Sequence, residues 1–93
     1  MNINHVPGKN KGKVMLYALS TCGWCRKTKK LFDKMGIEYD YTDVDLLQEE
    51  EKESARKEVM RWNPRGSFPT VVFNDKICVV GYDEQKLKEA LGE

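Results

Sequence analysis

The sequence predicts an α/β fold: a mixed four-stranded sheet laid down as βαβ, then α, then ββα, with three flanking helices. Three observations predict it. An apolar run, Val14 to Leu19, is followed by helical spacing and then by period-two alternation, which is the order of a βαβ unit. Two β-rich runs near the C-terminus are joined by Asn74-Asp75, a hairpin signal. The chain has 93 residues, 40% hydrophobic and 33% charged, which is enough for one small core and no second domain.

Residues 1–12 hold Pro7, Gly8 and Gly12 among polar residues and read as a mobile arm, leaving 13–93 as the domain. Val14 to Leu19 is too short for a helix and suits a strand buried on both faces. Ser20 and Thr21 offer caps for a helix from Gly23 to Met35, with apolar positions at Trp24, Leu31, Phe32 and Met35 and Gly36 as its stop. Ile37 to Val44 alternates and reads as a second strand, parallel to the first. Leu46 to Trp62 is rich in helix formers, with Leu47, Ala55, Val59 and Trp62 as its inner stripe. Asn63-Pro64-Arg65-Gly66 ends that helix, and Thr70 to Phe73 and Lys76 to Val80 form the hairpin. Asp83 is placed to cap a last helix, Glu84 to Leu91, with Leu87, Ala90 and Leu91 inward.

The longest apolar run is six residues, too short to span a bilayer, so no membrane partner is expected. The N-terminus carries no charged-then-apolar signal pattern, and the expected location is the reducing cytoplasm. Sixteen basic and fifteen acidic residues give a net charge of +1, but their distribution is uneven. Seven Lys and Arg and no acid fall before Asp33, whereas nine acids and three bases fall between Glu38 and Glu58. The balanced total and the lack of interleaved aromatics argue against nucleic acid as a partner. Three cysteines, an odd count in a chain of this kind, point to metal binding or redox chemistry rather than a disulfide scaffold.

Cys22 and Cys25 lie three apart where the first strand gives way to a helix. There the free N–H groups and the positive end of the helix dipole stabilise a thiolate, and Arg26 and Lys27 add positive charge. Cys25 lies one turn deeper, so the pair joins an activated, exposed thiol to a sheltered one, as disulfide exchange requires. A zinc site would need Cys78 and His5 as its other ligands, and their spacing matches no compact pattern. Gly23 allows a tight turn, and Trp24 at an exposed position can line a cleft. Cys78 reads as a small core residue, Trp62 as core, and His5 has no identifiable partner.

The strand Val14 to Leu19, the Cys22-Gly23-Trp24-Cys25 helix, and the later Phe68-Pro69-Thr70 and Gly81-Tyr82-Asp83 together resemble a glutaredoxin, of the thioredoxin-fold superfamily. The resemblance covers Lys13 to Leu91. It implies a thioredoxin-like fold, with Cys22 and Cys25 catalytic and a cis peptide bond between Phe68 and Pro69. Phe68 would then pair with an incoming disulfide substrate as a short strand. It also implies a substrate cleft of Gly23, Trp24, Arg65, Phe68, Pro69, Gly81, Tyr82 and Asp83. Arg65 suits a carboxylate clamp or a solvated loop position, and Asp83 a substrate contact or a helix cap.

Where many glutaredoxins carry Pro-Tyr between the cysteines, this chain has Gly23-Trp24. Small residues there occur in members holding a [2Fe–2S] cluster between two subunits, so a cluster-binding dimer is the alternative to a monomeric oxidoreductase. Leu19 replaces the lysine usual in glutathione-using members, and Val80-Gly81 replaces a Gly-Gly pair. The implied partners are disulfide-containing proteins. The implied electron donor is glutathione, another small thiol or a thioredoxin reductase-type enzyme, and exchange itself needs no bound cofactor.

Overall fold

The apolar run that opens the domain becomes the middle strand of the sheet. A computed structural model describes residues 2–93. In chain order they form β1 (Asn4–Val6), β2 (Val14–Ala18), α1 (Gly23–Met35), β3 (Tyr39–Asp43) and a 3₁₀ turn (Val44–Leu46). There follow α2 (Glu49–Trp62), β4 (Thr70–Phe73), β5 (Ile77–Val80) and α3 (Glu84–Ala90). The sheet order is β1-β3-β2-β4-β5. β2 pairs parallel with β3, and the β1–β3, β2–β4 and β4–β5 pairs are antiparallel. Among the described residues no helix is long and apolar enough to cross a membrane.

Alternation along β2 and β4 builds a core on each side of the sheet. Val14, Leu16 and Ala18 of β2, with Val71 and Phe73 of β4, pack with Leu31 and Phe32 of α1 and Leu87 of α3. Tyr17 and Val72 turn the other way, onto Val44, Leu47, Ala55 and Val59 at α2. One face is therefore covered by α1 and α3, and the other by α2. Gly36 stops α1 in the left-handed region at φ 67, donating back to Phe32 and Asp33 carbonyls. Asn74 and Asp75, at φ 54 and 53, make the two-residue turn of the β4–β5 hairpin.

The sheet has five strands rather than four, and the extra one lies in the segment expected to be a mobile arm. Asn4–Val6 pairs with β3, and Lys9 exchanges backbone bonds with Gly36 (2.8 Å) and Glu38 (2.9 Å). Gly8 serves close approach rather than mobility. A Cβ there would stand 2.5 Å from the Ile37 carbonyl carbon. His5 has partners after all, the carboxylates of Asp40 at 2.6 Å and Glu38 at 3.7 Å. Residue 1 of the arm lies outside the described residues.

Smaller departures have local causes. The second helix starts at Glu49 rather than Leu46, because a 3₁₀ turn intervenes and buries Val44 while exposing Leu46. Cys78 is half-buried rather than core: β5 is an edge strand, and its neighbour Ile77 is exposed. Ala90 is only partly buried, while Leu87 and Leu91 are inside.

Candidate functional site

The cap of α1 is Cys22 itself, not Ser20 or Thr21. Its backbone is extended (φ −84, ψ 118), its carbonyl accepts from the Arg26 N–H, and its Sγ accepts from the Cys25 N–H at 3.2 Å. A sulfur therefore stands where the helix offers unpaired N–H groups and the positive end of its dipole. Cys22 is half-exposed and Cys25 fully buried, and both are free thiols. Residues one helical turn apart lie about 5 Å apart, inside the separation of about 4.4–6.8 Å between Cα atoms that a disulfide spans.

Burial first, and then its hydrogen bond with Cys22, push the Cys25 thiol up to about 12. A backbone hydrogen bond from Leu19 and the charge of Lys29 oppose the shift. Burial likewise raises Tyr17 to about 12, and raises Tyr39, whose hydroxyl also donates to Asp33 at 3.1 Å. All three are acids whose folded-state values lie above their ordinary ones of 9.0 and 10.0. Their contribution to stability is complete at neutral pH and is lost as pH rises from about 9 toward their folded-state values. Urea unfolding from pH 8 to 11 should show a falling midpoint, its earliest part absent in Cys25→Ala. A flat midpoint over that range would contradict the buried, neutral state of these groups.

The opposite wall comes from β4 and the loop before α3. The β2–β4 ladder ends with Tyr17 opposite Thr70, and just beyond it Leu19 and Phe68 pack against the same cluster as Tyr17 and Val72. The Phe68–Pro69 peptide bond is cis, and the Pro69 carbonyl accepts from the Gly81 N–H at 2.8 Å. Cys22, Phe68 and Tyr82 pack against the same core cluster. Trp24, 59% exposed, stacks on Tyr82 with ring centroids 5.9 Å apart, and Lys27 Nζ lies 5.3 Å from both centroids. Gly23 leaves the first helical turn open, with nothing within 4 Å of where a Cβ would stand.

Two sequence-predicted residues sit off this cluster. Arg65 lines a hollow of about 250 Å³ with Arg56, Val59, Met60 and Gly66, and Phe68 is the wall it shares with the cleft. Asp83 caps α3, accepting from the Lys86 N–H at 3.1 Å.

Three residues have supporting roles that the sequence did not show, although Asn63 was expected at the end of α2 and is its C-cap. The Asp45 carboxylate accepts from both the N–H (2.8 Å) and the hydroxyl of Ser20, pinning the turn into Cys22, and these bonds hold it below its ordinary value. Buried Thr28 donates to the Trp24 carbonyl at 2.9 Å. Buried Asn63 donates its side-chain amide to Ser67 and Thr70, tying down the loop that carries Phe68 and Pro69. Only spatial neighbours reveal these roles, because each partner is four to 25 residues away.

Among the described residues no three His, Cys, Asp or Glu side chains converge as metal ligands. His5 is taken up by Asp40, on the β1 edge. An iron–sulfur cluster needs four ligands, and one chain offers a single accessible sulfur here, Cys22. The residues of this chain do not by themselves fit such a cluster.

Residues 14–78 match the glutaredoxin family model. Glutaredoxin 1 of Rickettsia prowazekii is 32% identical over 71 residues, spanning 76% of this chain and 70% of that protein. A crystal structure of a glutaredoxin from Methanosarcina mazei superposes with a TM-score of 0.93 at 49% identity, covering 98% of this chain and 88% of that one. Methanoredoxin from Methanosarcina acetivorans gives 0.90 at 51% identity, covering 92% and 90%. A thioredoxin-like α/β fold with a cysteine pair at the start of its first long helix, matched over most of its length to these proteins, places the chain in the glutaredoxin family.

Proposed function

We propose that the protein is a dithiol thiol–disulfide oxidoreductase of glutaredoxin type, reducing disulfides through Cys22 and Cys25. The observation that carries this is the asymmetry of the pair: one sulfur exposed at the helix end, the other buried and held protonated. The Cys22 thiolate attacks one substrate sulfur, the substrate S–S bond breaks, and the leaving sulfur takes up a proton as the first product thiol. Cys22 is now in a mixed disulfide and no longer charged. Two of the influences that raise Cys25, its hydrogen bond with Cys22 and the charge there, are thereby removed. Cys25 then gives up its proton and attacks Cys22 Sγ, releasing the second substrate thiol and closing the Cys22–Cys25 disulfide. Two electrons pass from protein to substrate, one proton comes from Cys25 and the other from solvent, and two donor thiols restore the pair.

Phe68, Pro69, Gly81 and Tyr82 supply the wall against which the substrate strand lies, and Trp24, stacked on Tyr82, extends it. The donor in this reading is a small thiol, glutathione or another. The Arg65 and Arg56 guanidinium groups beside Phe68 suit its carboxylate, and the family resemblance supports it. The protein acts as a monomer on disulfide-containing proteins in a reducing cytoplasm.

The oxidised protein should be offered glutathione, a second small thiol, and thioredoxin reductase with its nicotinamide donor in separate reactions. Reduction of the Cys22–Cys25 disulfide by a small thiol, with Arg65→Ala raising the thiol concentration needed severalfold, is the expected result. Reduction by the reductase alone would overturn the small-thiol reading. Failure of the dithiol to reduce any disulfide would overturn the activity itself.

A further inference from the structure

Lys27, Lys30 and Lys34 follow steps of three and four residues, so they share one face of α1. With Leu31, Tyr82 and Glu84 they line a hollow of about 260 Å³ beside the Trp24–Tyr82 pair. The acids nearby are already engaged. Glu84 accepts from Lys88 and from the Tyr82 hydroxyl, both at 3.2 Å, and Asp33 accepts from Tyr39 at 3.1 Å. Among the described residues no carboxylate forms an ion pair with Lys27, Lys30 or Lys34. Lys29 provides the contrast: it turns to another side of the helix and pairs with Asp43 at 3.0 Å. The chain's acids are concentrated elsewhere, three of them in the first turn of α2 on the opposite face of the sheet.

We propose that the Lys27–Lys30–Lys34 face of α1 docks an acidic segment of the substrate polypeptide, adjoining the cysteine that Cys22 attacks. The proposal rests on the disulfide-exchange reading and adds the substrate's class to it. Three ammonium groups in a row, none in an ion pair and Lys27 beside the Trp24 and Tyr82 rings, complement carboxylates, and the exposed Trp24 and half-buried Tyr82 rings give an extended chain apolar surface to lie on. The geometry sets the register. At 1.5 Å per helical residue, Lys27 lies about 7 Å and Lys34 about 18 Å along the axis from Cys22. An extended strand advances about 3.3 Å per residue, so the acids belong about two to six residues from the substrate cysteine. A stripe this short, on a chain of net charge +1, suits a peptide segment better than a nucleic-acid backbone.

The test mixes pre-reduced protein with disulfide dimers of a ten-residue peptide carrying three Glu, or three Gln, in that window. Oxidation of the Cys22–Cys25 pair is followed in a single turnover. The Glu peptide should react about tenfold faster at low salt, and the advantage should vanish near 0.5 M salt. Lys30→Glu with Lys34→Glu should invert the preference while leaving the rate on the neutral bis(2-hydroxyethyl) disulfide unchanged. Equal rates for the two peptides, or a preference that survives the double variant, would overturn the proposal. So would tighter binding of a single-stranded oligonucleotide than of a cysteine-free Glu peptide, or occupation of this face by a second copy, seen as a dimer lost in the double variant. If no disulfide is reduced at all, the activity is wrong. The docking surface is then judged separately, by whether the cysteine-free Glu peptide binds and the double variant abolishes that binding.

Discussion

Cys22→Ser should lower the rate of disulfide reduction by at least about a thousandfold, while Cys25→Ser should stall the reaction after its first step. A serine hydroxyl at Cys22 would keep the cap, since it too can accept the Cys25 N–H now bonded to sulfur at 3.2 Å. The fold should survive, and the loss would be chemical: a hydroxyl is not ionised at neutral pH and does not displace a thiolate. In Cys25→Ser the exposed nucleophile remains but no second sulfur can release the substrate. Mass spectrometry should therefore find the Cys25→Ser protein joined to one substrate thiol at Cys22, and no adduct on Cys22→Ser. An adduct forming at Cys25 instead would reverse the roles. The burial of Cys25, 0% exposed against a half-exposed Cys22, argues against that reversal. Cys78 is also a free thiol, half-buried and raised by burial, so the same spectra show whether it stays unmodified.

The asymmetry of the pair was legible in the sequence because it depends on local order. An apolar strand running into a C-x-x-C helix fixes which cysteine is outer and which is covered, though not that Cys22 rather than Ser20 or Thr21 is the cap, and the helix bounds Gly23–Met35 follow from spacing and Gly36 alone. The cis Phe68–Pro69 bond and the Gly81–Tyr82 turn came with the family resemblance. Other features could not be read this way. Strand β1 is three residues with mostly exposed side chains, so it shows no alternation, and it exists because β3 presents an open edge to it. The 3₁₀ turn before α2 reflects the bonds between Asp45 and Ser20, 25 residues apart. The charge asymmetry was visible from the start, but which lysines lack a partner was not. Lys29 and Lys30 are neighbours in the chain, and only the first meets an acid.

Asn63 offers the second large effect, because one buried side chain holds the loop that shapes the cleft. It is 3% exposed. Its amide nitrogen lies 3.1 Å from the Ser67 carbonyl, 3.0 Å from the Ser67 hydroxyl and 3.1 Å from the Thr70 hydroxyl, and its oxygen accepts from the Arg65 N–H at 3.2 Å. Asn63→Ala removes all of these bonds; the Thr70 hydroxyl still donates to the Ser67 carbonyl at 2.8 Å but, buried, loses the donor to its own oxygen. The expected loss is about 2–3 kcal/mol of unfolding free energy, a large share of the roughly 5–10 kcal/mol typical of a small domain. Asn63→Asp is the sharper experiment. It keeps size and the Arg65 bond, but an ionised carboxylate has no proton to give and would face the Ser67 carbonyl and the Thr70 hydroxyl oxygen, whose hydrogen is already given to that carbonyl. Protonation would restore one donor, so burial and those acceptors should raise the new carboxyl above its ordinary range. Its stability should then be greatest in acid and decline as pH rises through that raised value, the opposite of a surface aspartate. Urea midpoints from pH 4 to 8, compared with the unsubstituted protein, measure this directly. Disulfide reduction should fall in step wherever the loop loosens, since Phe68 and Pro69 follow Ser67 immediately. If Asn63→Asp matches the unsubstituted protein at every pH, the amide is not what fixes the loop, and the wall opposite Cys22 must be held by the Gly81–Pro69 bond and the packing of Phe68 alone.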